Sequence, residues 1–376
     1  MTEPTTEPFT EPLTEPLTEP RTEPLPAPLW SDATELCRDL QQGGVTATAV
    51  MDNVYTRIAA LNPALNALVS LIPKEQAMTL AAAADAIPIA QRGPLHGLPM
   101  APKDAVAVKG FSTSWGYAGF AETIEEQDDE LARRLREAGA IFIGHSNMPE
   151  FGLGSHTFNR LYGHTYNPYN LSKTPGGSSG GAAVALAADL LPLADGSDLG
   201  GSLRNPASFC NVVGFRPSMG RMPFNRGFSW YGRMVTTGPM AKNVRDTILL
   251  FSVMAGPHAS DPLTLEDPGT TFLDALEPMS ETEAQQLRIS VSQDLGGLPI
   301  DAEVGDAVTE AAEVLGRLGA EVTERAPDLT GAMDVFQVQR AAGLRLLGRR
   351  LETIDPDWRD TIKETARWNI DKGLAL

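Results

Sequence analysis

The chain has 376 residues, of which 42% are hydrophobic and 21% charged, an ordinary globular balance and a length that supports a large core without disulfide or metal staples. With 30 Lys and Arg against 48 Asp and Glu the formal charge is -18, which argues against a broad phosphate-binding surface and so against a nucleic-acid partner.

Residues 2–25 repeat a four-residue unit: TEPT, TEPF, TEPL, TEPL, TEPR, TEPL. Proline at every fourth position removes the backbone donors that a helix would use. Residues 1–28 are therefore expected to be a disordered tail with extended polyproline character. Either a solubilising extension or a recognition arm fits this composition.

From residue 29 onward helical and strand patterns alternate. Ser31 or Asp32 can cap a helix that runs through Leu40 and ends at Gly43 and Gly44. Residues 46–61 predict a second helix, stopped before Pro63, and 76–84 an alanine-rich third. Residues 99–109, PMAPKDAVAVK, read as strand-like. A helix follows at 128–138 with Leu131 and Leu135 inward, then a short buried strand at 141–144. Residues 180–190 form a small-residue helix, 191–194 and 211–215 are strands, and 242–254 is a helix. A β-α-β run follows at 288–291, 302–318 and 321–323, and residues 329–373 look helical throughout. The pattern predicts an α/β fold, a mixed, largely parallel twisted sheet sandwiched by helices, in one domain over residues 29–376.

Two cysteines, Cys37 and Cys210, give neither a disulfide framework nor a cysteine-based zinc site. His96, His145, His156, His164 and His258 lack any ligand spacing, so no metal is expected. No apolar run approaches the roughly 18 residues of a membrane helix, and the N-terminal residues show no basic segment followed by an apolar one, so a secretory signal is not expected. The expectation is a cytoplasmic protein without a membrane partner.

Three segments carry chemistry. In HGLPMAPKDAVAVKG, residues 96–110, Lys103 lies among apolar neighbours. Taken alone it is most simply a snorkelling surface lysine beside Asp104. TPGGSSGG, residues 174–181, places Ser178 and Ser179 between glycines and leads into a helix start, where backbone donors can approach a ligand. It matches G-x-S-x-G formally but has no strand before it, as a nucleophile elbow requires. In DGSDLGGSLRNPASFCNVVGFRPS, residues 195–218, Gly200 and Gly201 precede Ser202, and Asp198 and Arg204 can pair across the turn. Successive N–H groups in such a turn can hold an oxyanion, although a plain turn between strands has the same composition. No histidine stands near either serine. A lysine can be the base if burial brings its pKa from about 10.4 to near neutrality.

The set KD, GGSSGG and D-x-GGS-x-R-x-PA resembles the amidase signature hydrolases, from about Trp30 to the C-terminus. The resemblance implies an α/β/α sandwich around a twisted sheet and amide hydrolysis without a cofactor. It makes Lys103 the base, Ser178 a bridging serine after a cis peptide bond, and Ser202 the nucleophile. The N–H groups of Leu199, Gly200, Gly201 and Ser202 would form the oxyanion hole, with Asp198 and Arg204 supporting the turn. Met148 and Phe151, in NMPEFGLGSHTFN, and Trp230 and Tyr231, in the FSWYG loop with Phe228, are candidates for the substrate pocket; ordinary packing fits them equally. His156 is read as a hydrogen-bonded structural histidine and Cys210 as a buried small residue.

The family's chains usually continue past the helical region in which this one stops, so the sheet is expected to be C-terminally incomplete. An open sheet edge favours association, a homodimer included. The substrate expected is a small-molecule amide. The amidotransferase subunit that amidates glutamate on transfer RNA shares the motifs and is the second enzyme reading. A catalytically inactive scaffold is the alternative outside catalysis.

Overall fold

The structure, a computed structural model, describes residues 27–223 and 234–376. The repeat tail through residue 26, and Phe228, Trp230 and Tyr231, lie outside the described residues. The helices are α1 (Ala33–Gln42), α2 (Ala47–Leu65), α3 (Lys74–Asp85), α4 (Glu130–Glu137), α5 (Gly180–Ala187), α6 (Arg204–Phe209), α7 (Val244–Met254), α8 (Glu281–Ala284), α9 (Ala302–Arg317), α10 (Ala332–Ile354), α11 (Trp358–Thr361) and α12 (Glu364–Leu374). The strands are β1 (Leu68–Val69), β2 (Pro99–Met100), β3 (Ile141–Phe142), β4 (His145–Ser146), β5 (Phe158–Asn159), β6 (Gly163–His164), β7 (Ala194–Asp198), β8 (Val213–Gly214), β9 (Thr236–Ala241), β10 (Arg288–Val291) and β11 (Glu321–Glu324).

The caps explain the helix boundaries. Asp32 accepts from the N–H of Glu35 at the start of α1, and left-handed Gly43 ends it. Asp129 and Asn243 cap α4 and α7 in the same way. Pro63 does not stop α2 as expected. It sits within the last turn, and the helix closes at Asn66, whose φ is +49°. A proline there forfeits one backbone bond of a turn that is about to end.

The sheet is mixed. β2 runs parallel to β3, β10 parallel to β11, and Lys103 makes a parallel bridge to Ser146. β1 pairs antiparallel with β4, and β5 with β6. In the three-stranded part β9 is central, antiparallel to β7 from Ala194↔Met240 to Asp198↔Thr236 and to β8 on its other edge. The predicted strand over 99–109 is confined to Pro99–Met100, because the chain then turns: Asp104 accepts from the N–H groups of Ser114 at 2.9 Å and Gly116 at 3.1 Å.

α5 lies at the middle of the large core, in contact with β1, β4, β7 and β9. Its residues from Gly180 to Leu186 are all buried, which only small side chains allow at this spacing. A Cβ on Gly181 would lie 2.3 Å from the Asn147 nitrogen and 2.5 Å from the Ala67 oxygen. A second, smaller core joins Leu351, Trp358, Ile362, Ala366 and Ile370 to Tyr117, Phe120, Phe151 and Leu153. The C-terminal helices thus close on the loop that carries Phe151. Among the described residues no helix is long and apolar enough to cross a membrane.

Because backbone faces Gly181, Gly181→Ala is expected to lower stability by about 1–3 kcal/mol, read as an earlier midpoint in urea unfolding.

Candidate active site

The strand period of two organises the site. In β7, Asp195 and Ser197 face one side while Gly196 and Asp198 face the other. On the first side lies Lys103, which is 1% exposed rather than snorkelling. Its N–H donates to Asp195 at 3.2 Å. Its Nζ donates to the hydroxyls of Ser178 at 2.7 Å, Ser179 at 2.9 Å and Ser197 at 3.0 Å. The Gly177–Ser178 peptide bond is cis. Asp104 is not its partner, since that carboxylate is engaged by the 114–116 turn.

Burial pushes Lys103 down to about 7, against the opposing charges of Asp195 and Asp198. Burial likewise pushes Asp195 up to about 7, opposed by the N–H and charge of Lys103. Near neutrality the lysine can therefore exist without its proton.

Asp198, fully buried, organises the other side. Burial alone would raise its pKa, but hydrogen bonds from Arg204, the Gly201 N–H and Arg216 hold it well below the usual carboxylate range. Arg204 is bidentate to it, at 3.0 and 3.1 Å, and Arg216 Nη1 lies at 2.8 Å. The N–H groups of Gly201 and Leu203 donate to it at 2.8 and 3.2 Å. This corrects one expectation: the N–H of Gly201 is committed to Asp198 and is not free for an oxyanion. The N–H groups of Leu199, Gly200 and Ser202 have no partner among the described residues. Ser202 is half-buried; its carbonyl accepts from the Ser179 N–H at 3.1 Å, and its hydroxyl bonds to no described residue.

The family model for Amidase matches residues 49–367. The chain belongs to the amidase family. It is 37% identical over 304 residues to an acylamidase of Rhodococcus erythropolis, covering 79% of this chain and 62% of that protein. It is 35% identical over 306 residues to the A-type subunit of the glutamyl-tRNA(Gln) amidotransferase of Pseudomonas savastanoi pv. phaseolicola, covering 81% and 62%. The chain thus spans about six-tenths of these relatives' length. Among solved structures, a bacterial aryl acylamidase of the amidase signature enzymes superposes with a TM-score of 0.79 at 28% identity, over 91% of this chain and 72% of that one. The mixed α/β architecture is that of these enzymes.

Two candidate pocket residues of this amidase family chain stand behind the site. Met148 is 1% exposed, and Phe151 packs with Tyr117 and Phe120 at ring distances of 5.2 and 6.2 Å. Both support the loop whose Gly152 faces Ser178: a Cβ there would lie 3.6 Å from Ser178 Oγ and from Met148 Cε. His156 bonds to Thr174 Oγ1 at 3.1 Å, and Cys210 is buried with Sγ 3.6 Å from the Pro175 carbonyl. Among the described residues no group of acidic, His and Cys side chains could hold a metal. Sequence reasoning missed Ser197, Asp195 and Arg216. The alternation in ADGSD carried a signal for the first two.

Asp198→Ala would leave Arg216 and the turn N–H groups of Gly201, Leu203 and Arg204 without their buried acceptor. It is expected to cost about 3 kcal/mol, seen as a lower denaturant midpoint.

Proposed function

We propose that the protein hydrolyses linear carboxylic amides through an acyl-enzyme on Ser202. The observation that carries this reading is the buried Lys103 ammonium within 2.7 Å of the Ser178 hydroxyl. Neutral Lys103 takes a proton from Ser178, which takes one from Ser202 as its oxygen attacks the amide carbonyl. The N–H groups of Leu199, Gly200 and Ser202 receive the oxyanion, on a turn held by Asp198 and Arg204. The proton returns through Ser178 to the leaving ammonia or amine, and water then releases the acid. Membership of the amidase family and similarity to an acylamidase support the amide as substrate class. The buried free thiols Cys37 and Cys210 are in keeping with a cytoplasmic setting.

Similarity to an amidotransferase component favours a second reading, in which the released ammonia passes to a partner. Ammonia production by the isolated chain at full rate argues for the first; production only with added partner proteins argues for the second.

Ser202→Ala is expected to reduce kcat for a small amide about 10⁴-fold or more, and Lys103→Ala about 10³-fold. Transfer of the acyl group to hydroxylamine measures both. Wild-type-like transfer by the Ser202→Ala protein would rule the assignment out, and failure of an active-site serine probe to label wild-type Ser202 would favour an inactive scaffold.

The pH profile follows from Lys103. Its neutral form is the competent one and its pKa is held near 7, so kcat/KM should rise with pH and level off above about 7. A rise displaced to about pH 10 would mean that the lysine keeps its solution pKa.

A further inference from the structure

A second lysine lies beside the site, and the mechanism does not use it. Lys363 precedes α12 and is 6% exposed, yet its Nζ has no carboxylate within 4.0 Å and no hydrogen-bond acceptor among the described residues. What it touches is the face of Phe158, 4.4 Å from the ring centroid. Glu150 is near in charge but is used otherwise: its oxygens accept from the N–H groups of Lys363 at 2.9 Å and Arg160 at 3.2 Å. A buried ammonium left with one aromatic face lacks the acceptors that its three donors need. The opposite case stands in the same fold, where the Lys103 ammonium has three hydroxyl oxygens.

The position of Lys363 ties it to the loop that faces Ser178. A Cβ on Gly154 would lie 3.5 Å from Lys363 Nζ, and one on Gly152 3.6 Å from Ser178 Oγ. The two glycines are separated by one residue, so their Cα atoms are at most about 7.6 Å apart. The backbone of His156, whose titration feels the charge of Lys363, packs against Gly177, the residue before Ser178. At the turn before Ser202 stands another cation. The Phe336 ring lies 3.1 Å from where a Gly200 Cβ would be, and the Arg340 guanidinium stacks over that ring at 4.9 Å. Arg340 donates to Gln337 at 2.7 Å and meets no carboxylate among the described residues. On a chain of net charge -18, two cations without carboxylate partners beside one site mark a place for a ligand's negative charge.

We propose that the site selects amides that carry a second, carboxylate group, and that the Lys363 ammonium, flanked by Phe158 and the Gly152–Gly154 loop, holds that carboxylate. This rests on the amidase reading and specifies its substrate class. Arg340 supplies a second positive charge at the turn before Ser202 and does not take the carboxylate directly.

The test compares pairs of amides that differ only in charge: monoamides of short dicarboxylic acids against their methyl esters, and N-acyl amino acids against their methyl esters. The first pair places the anion on the acyl side, the second on the amine side. Wild type should favour the anionic member of at least one pair by about tenfold or more in kcat/KM, mainly through KM. In Lys363→Met that ratio should fall to about one, and Lys363→Arg should restore most of it. No preference in the wild type, or a ratio that survives in folded Lys363→Met but is lost in Arg340→Met, overturns the proposal. Should Lys363→Met not fold, the wild-type ratio and the Lys363→Arg and Arg340→Met variants still decide it.

If the wild type hydrolyses none of these amides and Ser202 takes no serine probe, the amidase reading fails by itself. Titration calorimetry with the dicarboxylic monoamides and N-acyl amino acids then tests the carboxylate site alone. Binding weakened about tenfold by Lys363→Met supports it, and no binding, or binding equal in both proteins, overturns it.

Discussion

The arrangement depends on one desolvated amine. Lys103 is enclosed, and three hydroxyl oxygens lie within 3.0 Å of its Nζ. An ammonium has three hydrogens to give and finds three acceptors. A neutral amine has two hydrogens and a lone pair, so one of these contacts must reverse, with a hydroxyl donating to nitrogen. Ser179 is poorly placed to reverse, because its oxygen already accepts from the Ser197 N–H at 3.2 Å and its hydrogen can point to the Ser197 carbonyl at 3.4 Å. Ser178 makes the shortest contact and has no such second tie. Ser197 Oγ, at 3.0 Å, has no second tie among the described residues either, so on losing the charge a proton can lie along the Ser178 or the Ser197 contact, of which the first is the shorter.

The same strand that supports the lysine also shapes the turn before Ser202. Alternation in β7 sends Asp195 and Ser197 to Lys103 and Asp198 to the turn, so two carboxylates three residues apart meet opposite electrostatic conditions. Asp195 has burial and a single backbone donor residue, and its proton is held more tightly. Asp198 has two arginine side chains and three turn N–H groups, and its charge is secure. The permanent anion orders the turn. By engaging the Gly201 N–H it leaves those of Leu199, Gly200 and Ser202 without a partner among the described residues, as the oxyanion role proposed for them needs.

The helices were legible because their caps and spacing are local: Asp32, Asp129 and Asn243 each stand where a side chain can bond the third N–H of the helix. The strands were less so. β9, over which the sequence pattern predicts no strand, carries Gly238 and Pro239, residues that central strands avoid, yet it is the centre of its sheet. Pro239 still contributes its carbonyl to the Phe215 N–H at 3.1 Å. Ser178 and Ser202 were accessible through glycine-rich local signatures, whereas Lys103 read locally as a surface lysine and gained a role only from the resemblance that joins the three segments. Ser197, Arg216 and Lys363 gain their meaning from neighbours distant in sequence, such as the contact between Lys103 and Ser197 across 94 positions. No local pattern records such a contact.

The C-terminal helices are built into the site through backbone as well as side chains. Gly348 and Gly373 let α10 and α12 approach closely: a Cβ on Gly373 would lie 2.5 Å from the Ala341 carbonyl oxygen. The pair is anchored to the rest of the fold by the Tyr117–Asp355 hydrogen bond, by Arg160 donating to the Asp360 carbonyl at 2.7 Å, and by Glu150 accepting from Lys363. All three anchors act on segments that lead into the loop behind Ser178, while Phe336 on α10 meets Gly200. A shift of this helix pair therefore bears at once on the loop facing Ser178 and on the turn before Ser202. The close glycine crossings oppose that shift, because packed backbone resists displacement more than flexible side chains do. Packing far from the reacting atoms in sequence thus sets how firmly Ser178 and the turn before Ser202 are held.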